Sequence, residues 1–94
     1  MEKFNFNKPH IYKRQIISTG KFYIGKHKGN NARYKGSGLD WIKDYRKFVK
    51  NRETDINEEI IEYVEDISKI NEREVYWLEH FDAANNPLFY NKTN

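Results

Sequence analysis

The chain has 94 residues, 33% of them charged and 37% apolar, with aromatics at 16% and a formal net charge of +3. That length suits one domain (1–94) with a modest, aromatic-rich core and no second DNA-binding domain. The absence of cysteine excludes disulfides, thiolate metal sites and thiol catalysis; no apolar run reaches the roughly 20 residues of a membrane span, and the start has no signal-peptide core, so a cytoplasmic protein is expected.

The charge is unevenly spread. Residues 1–52 carry 14 Lys and Arg against 3 Asp and Glu, whereas residues 53–94 carry 3 against 11. A basic first half points to a polyanion, most simply nucleic acid. The alternative is that the two halves pair with each other across the fold.

Residues 1–9 read as a polar arm, with Pro9 fixing the entry to the first strand. Ile11, Tyr12, Ile16 and Ile17 then precede Ser18-Thr19-Gly20, and Phe22, Tyr23 and Ile24 follow it. A β-branched and aromatic run split by a short Gly-containing turn predicts a hairpin. Gly25 is expected to end its second strand, with a bulge or a close backbone approach there. Tyr12 and Tyr23 both have basic neighbours, so the two phenols are expected to converge on a positive surface. Residues 26–38 form a basic Gly/Asn-rich loop without the spacing of a nucleotide-triphosphate loop. It is expected to contact phosphates; the alternative is an ordinary flexible surface loop.

Leu39, Ile42, Tyr45 and Val49 fall at helical spacing, with Trp41 and Phe48 beside them as core residues. Ser37 is the expected N-cap. Glu53-Thr54-Asp55 reads as a turn. The β-propensity of Ile60, Ile61, Tyr63 and Val64 favours a strand of about five residues centred on Ile61, beside the hairpin. A second helix is expected from Ile70 to roughly Asp82. At about 100° per residue, Ile70, Trp77, Leu78 and Phe81 lie within about 60° of Glu74. Glu74 thus interrupts the apolar face. It pairs with an Arg such as Arg33, reaches solvent at the edge of the core, or binds a catalytic metal. Leu88, Phe89 and Tyr90 are expected to pin the tail, with Asn91 held beside Tyr90.

In order, the chain shows His10-Ile11-Tyr12, Tyr23-Ile24-Gly25, a basic loop, and Gly36-Ser37-Gly38 opening a helix. Glu59-Ile60-Ile61-Glu62-Tyr63, Glu72-Arg73-Glu74-Val75-Tyr76-Trp77-Leu78 and Tyr90-Asn91 follow. This series resembles the GIY-YIG nuclease superfamily over residues 10–91, with the loop most like that of the phage homing endonucleases. The resemblance implies an α+β domain: a small, three-stranded, mostly antiparallel sheet flanked by helices. It implies an endonuclease that hydrolyses DNA phosphodiester bonds with little sequence preference of its own. Tyr12, Tyr23, His27, Arg33 and Glu74 would be catalytic, with a tyrosine or His27 as general base. Glu74 would hold Mg²⁺ or Mn²⁺, and Asn91 would support the site. Lys26 resembles a lysine of the excision-repair members, and Lys13, Lys26, Lys28 and Lys35 would contact nucleic acid. Duplex or branched DNA would be the partner, with a targeting protein or a homodimer supplying specificity, in a host cytoplasm if the chain is of phage origin. Two other readings stand beside this one. One is a weak or inactive domain that binds nucleic acid or protein, and the other is a small structural α+β protein.

Overall fold

The turn after Ile16 sets the hairpin. Gly20 adopts φ +73°, a left-handed conformation that glycine reaches without a side-chain clash. This returns the N–H groups of Gly20 and Thr19 to the Ile16 carbonyl, at 2.8 and 3.2 Å. The structure is a computed structural model and describes residues 8–29 and 38–92. Most of the N-terminal arm and most of the basic loop, with Arg33, Lys35 and Ser37, lie outside the described residues.

Strand β1 (His10–Ile16) pairs antiparallel with β2 (Phe22–His27), setting Tyr12 opposite Gly25 and Arg14 opposite Tyr23. Strand β3 (Ile56–Tyr63) pairs antiparallel with the other side of β1, so the sheet order is β2-β1-β3. With helices α1 (Leu39–Phe48), α2 (Arg52–Asp55) and α3 (Ile70–Phe81), this is the expected α+β fold with a three-stranded antiparallel sheet. The tail adds a short parallel bridge outside β2: the Phe22 N–H donates to the Leu88 carbonyl and the Tyr90 N–H to the Phe22 carbonyl, both at 2.7 Å. Among the described residues, no helix is long and apolar enough to cross a membrane.

Alternation along the strands divides the interior in two. On one face Tyr12, Ile16, Tyr23 and Ile56 pack with Trp41 of α1 and Tyr90 of the tail. On the other, Ile11 and Ile24 pack with Ile70 and Leu78 of α3. A bulge serves the second face. Ile11 faces Glu62 while Tyr12 faces Ile60, leaving Ile61 as the extra residue. Ile61 and Glu62 therefore both meet α3. Ile61 makes apolar contact, and Glu62 accepts from Arg73 Nε at 2.9 Å and Trp77 Nε1 at 2.8 Å.

Several sequence expectations are corrected. Gly25 does not end its strand; β2 continues to His27, because Gly25 is paired with Tyr12 in mid-ladder. Strand β3 is eight residues long rather than about five. Leu39 is 87% exposed, whereas Trp41 is fully buried. The two lie about 200° apart on the helix, so only one can face the sheet. The aromatic stripe Trp41, Tyr45 and Phe48 has the larger apolar area and takes the inner side. The N-cap is Gly38 rather than Ser37. The expected turn at residues 53–55 is one turn of helix, capped by the Asn51 side chain, which accepts from the Glu53 N–H at 3.0 Å. Leu88 is 55% exposed and does not pin the tail; Phe89 and Tyr90 do.

Tyr90 is the strongest of these pins. Its hydroxyl donates to Asp44 Oδ2 at 2.9 Å and lies 2.8 Å from Thr19 Oγ1. Burial above all, then the Asp44 carboxylate, pushes the phenol up to about 12. The unfolded phenol loses its proton near 10.0. Above that pH the folded state holds the extra proton, so stability falls as pH rises from 10.0 towards 12. Tyr90→Phe is expected to cost about 1–2 kcal/mol at neutral pH and to flatten this alkaline loss. Urea unfolding across that range checks both.

Candidate active site

Four consecutive residues of β2 each hold or contribute a candidate group. The Tyr23 ring stacks on Trp41, with centroids 5.1 Å apart and planes 11° apart, and its hydroxyl accepts the Gly38 N–H at 3.2 Å. Ile24 is bound through its backbone. Its N–H donates to Asn91 Oδ1 and its carbonyl accepts from Asn91 Nδ2, both at 2.9 Å. The Asn91 amide thus takes the part of a peptide group and extends the ladder begun by Phe89. Gly25 lies under the Tyr12 ring so closely that a Cβ there would overlap the Tyr12 hydroxyl and Cζ. Lys26 Nζ lies 3.4 Å from Glu74 Oε1. Tyr12, Glu74 and Asn91 are remote in sequence, yet they meet at three successive residues of one edge strand.

They do not share one surface. Tyr12, Tyr23 and His27 alternate onto the α1 side of the sheet and are 1%, 8% and 5% exposed. The two phenols therefore belong to the core and do not form a positive surface, as the basic neighbours had suggested. Lys26 and Glu74 lie on the α3 side, with side chains 37% and 22% exposed. Asn91 sits at the strand edge between the two faces. The Tyr23 hydroxyl lies beside a cleft lined by Gly38, Leu39, Asp40, Tyr90, Asn91 and Lys92. Lys92 Nζ sits 3.0 Å from Asp40 Oδ2 and, through this hydrogen bond above all, holds the Asp40 carboxyl below its usual range.

A buried polar stack underlies Tyr12. Arg14, 1% exposed, places its guanidinium carbon 4.0 Å from the centre of the Tyr12 ring. Its Nε lies 3.6 Å from Glu58 Oε2, and Glu58 Oε1 accepts from Arg52 Nε at 2.6 Å. Desolvation lowers the Arg14 pKa, and the charges of Tyr12 and Glu58 oppose that shift. Beyond Tyr12, the rings of His10 and His27 stack at 5.2 Å. His10 Nδ1 lies 2.7 Å from the Lys8 carbonyl, and His27 Nδ1 accepts the Gly29 N–H at 2.9 Å.

Burial lowers the His10 pKa below its ordinary 6.5, helped by the His27 and Arg14 charges and opposed by the Lys8 hydrogen bond and Glu58. Just below pH 6.5 the unfolded chain therefore binds a proton that the folded chain refuses, and stability falls with pH. The thermal midpoint is expected to decline as pH drops through this window, and to decline less in His10→Gln. Melting curves between pH 7.5 and 5 would show it.

The expected nucleic-acid contacts differ in their surroundings. Lys13 pairs with Glu59 at 3.4 Å and lies over the rings of Phe22 and Phe81. Lys28 is exposed, and Arg33 and Lys35 lie outside the described residues. The pairs Lys13–Glu59, Arg14–Glu58 and Lys26–Glu74 each join the basic half to the acidic half. Part of the charge asymmetry is thus offset by pairing across the fold.

Glu74 lies at the edge of the core, paired with Lys26; Arg33, the partner expected from the sequence, lies outside the described residues. Among the described residues, no group of three or more His, Asp or Glu side chains could enclose a metal. Lys26 lies nearest Glu74 Oε1, and Oε2 accepts no hydrogen bond among the described residues. One open carboxylate oxygen suits Mg²⁺, which keeps several waters and takes one or two carboxylates plus substrate phosphate oxygens.

Comparison of the chain with models of protein families, with curated proteins and with solved structures finds no match. Sequence reasoning missed Arg14 beneath Tyr12 and Glu62 as the acceptor for Arg73 and Trp77. The first was accessible: in a strand, residues 10, 12 and 14 share a face. The second was not, since it depends on the bulge at Ile61.

Proposed function

We propose that the chain is a metal-dependent endonuclease that hydrolyses DNA phosphodiester bonds, with little sequence preference of its own. The observation that carries this reading is the partly exposed Lys26–Glu74 pair on the α3 side of β2, with the Tyr23 hydroxyl beside a cleft on the other side of the same strand and Asn91 at the edge between them. Phosphodiester hydrolysis needs an oriented water, positive charge on the phosphate and help for the leaving oxygen. Lys26 supplies a half-exposed cation for a phosphate oxygen. The Tyr23 hydroxyl already accepts from Gly38, so its own hydrogen is available to orient a water or a phosphate oxygen. Asn91 and Tyr12 hold the strand that carries both groups. Arg33, which lies outside the described residues, would brace the phosphate in this reading. Glu74 is the residue that would hold the divalent ion. Such an ion, when bound, stabilises charge on the leaving and non-bridging oxygens.

A second reading rests on one observation, that Tyr12 is 1% exposed. A phenol so buried suits a domain that binds nucleic acid or protein without cutting. Incubation of supercoiled plasmid with the protein and Mg²⁺, or with EDTA, separates the two. Mg²⁺-dependent nicking or linearisation is expected. Salt-sensitive DNA binding without cleavage under Mg²⁺ or Mn²⁺ would replace the nuclease with the binding module.

A further inference from the structure

We propose that Lys26 is an exchangeable counter-ion that lowers the metal affinity of Glu74 until a phosphate draws it away, so that DNA and the divalent ion bind cooperatively. The inference rests on the nuclease reading and adds a control to the same site.

Lys26 Nζ lies 3.4 Å from Glu74 Oε1. Neither side chain has another ion-pair or hydrogen-bond partner among the described residues. Both are partly exposed, at 37% and 22%, so the pair is individually weak. Each member has a second use. A carboxylate with one free oxygen accepts a divalent ion, and an ammonium on a flexible stem accepts a phosphate oxygen. The two uses conflict only while the pair is intact. A dication approaching Glu74 meets a positive charge already seated there. When a phosphate draws Lys26 away, that charge is neutralised and both carboxylate oxygens become available. Linkage makes the effect reciprocal: whatever factor DNA adds to metal affinity, metal adds to DNA affinity.

The test is Mn²⁺ binding, measured by electron paramagnetic resonance of free Mn²⁺ and by calorimetry, with no cleavage step. Native protein, Lys26→Met, Lys26→Arg and Glu74→Gln are compared with and without a short phosphorothioate duplex that resists cutting. Circular dichroism checks that each variant is folded. Lys26→Met is expected to bind Mn²⁺ roughly five- to tenfold more tightly than native protein, as expected for the loss of one nearby cation. The duplex should tighten Mn²⁺ binding by native protein and by Lys26→Arg but add little to Lys26→Met. Equal Mn²⁺ affinity in native and Lys26→Met, lost in both when Glu74→Gln is added, would overturn the exchange and leave the nuclease reading standing. Mn²⁺ binding indifferent to Glu74→Gln, with and without the duplex, would overturn both.

Discussion

Gly25→Ala is expected to destabilise the protein by about 3 kcal/mol or more, a large share of the roughly 5–14 kcal/mol available to a domain of this size. In an ordinary strand the same change would be favourable by about 0.5–1 kcal/mol, because alanine has less backbone entropy to lose. Here the added methyl would coincide with the Tyr12 hydroxyl and Cζ. Tyr12 has nowhere to go. It is 1% exposed, with Arg14 over its ring and Tyr23 at 6.2 Å. Either the ring leaves the core or β1 and β2 part at the middle of their ladder. Tyr12→Ala alone should also cost about 3–5 kcal/mol through the cavity it leaves. The double variant should then be about as stable as Tyr12→Ala, since the methyl fills space the ring has vacated. That non-additivity, read from urea midpoints of the four proteins, is the signature of direct contact. A Gly25→Ala protein as stable as the native chain would show that Tyr12 does not rest on this backbone.

Glu74→Gln is expected to lower Mg²⁺-dependent plasmid cleavage on the order of 10²–10³-fold while leaving the fold intact. The size follows from several kcal/mol of transition-state charge stabilisation that depends on a metal ligand, at about tenfold per 1.4 kcal/mol. The small structural effect follows from exposure. Lys26 loses its partner but remains 37% exposed and hydrated, so stability should change by less than about 1 kcal/mol. Glutamine keeps the shape of the side chain, which separates loss of charge from loss of packing. Glu72→Gln and Glu79→Gln are the controls. Both residues lie on the exposed side of α3 and should leave cleavage unchanged. Cleavage by Glu74→Gln at the native rate would remove Glu74 from the chemistry. Equal losses in all three variants would point to overall charge rather than to a metal ligand.

The two predictions draw on residues that were unequally visible before folding. Glu74 was conspicuous, because a carboxylate amid Ile70, Trp77, Leu78 and Phe81 contradicts its neighbours at helical spacing. Its partner was not visible. An Arg such as Arg33 was the partner suggested by charge, whereas the packing of α3 against the sheet brings Lys26 to Glu74. The Gly25–Tyr12 contact was half legible. A glycine within a β-rich run signals close approach, but which side chain approaches depends on the register of β1 against β2. Leu39 shows the limit of periodicity. It shares helical spacing with Ile42 and Tyr45, yet Trp41 faces the sheet because a broader aromatic surface was available on another side of the same helix.

What the sequence determined by itself are the local quantities. These are the hairpin with Gly20 at its turn, the helix from Ile70 and the apolar helix face that Glu74 interrupts. Each depends on propensity, periodicity or a special backbone angle, which a few neighbouring residues specify. The tertiary structure alone decided that Tyr12 and His27 are buried, that Lys26 and Glu74 form a pair at the surface, and that Asn91 completes the edge of β2. Those outcomes depend on strand register, on the bulge at Ile61 and on which helix covers which face. A one-residue slip in a strand turns every side chain to the opposite face, so no local pattern could have set them.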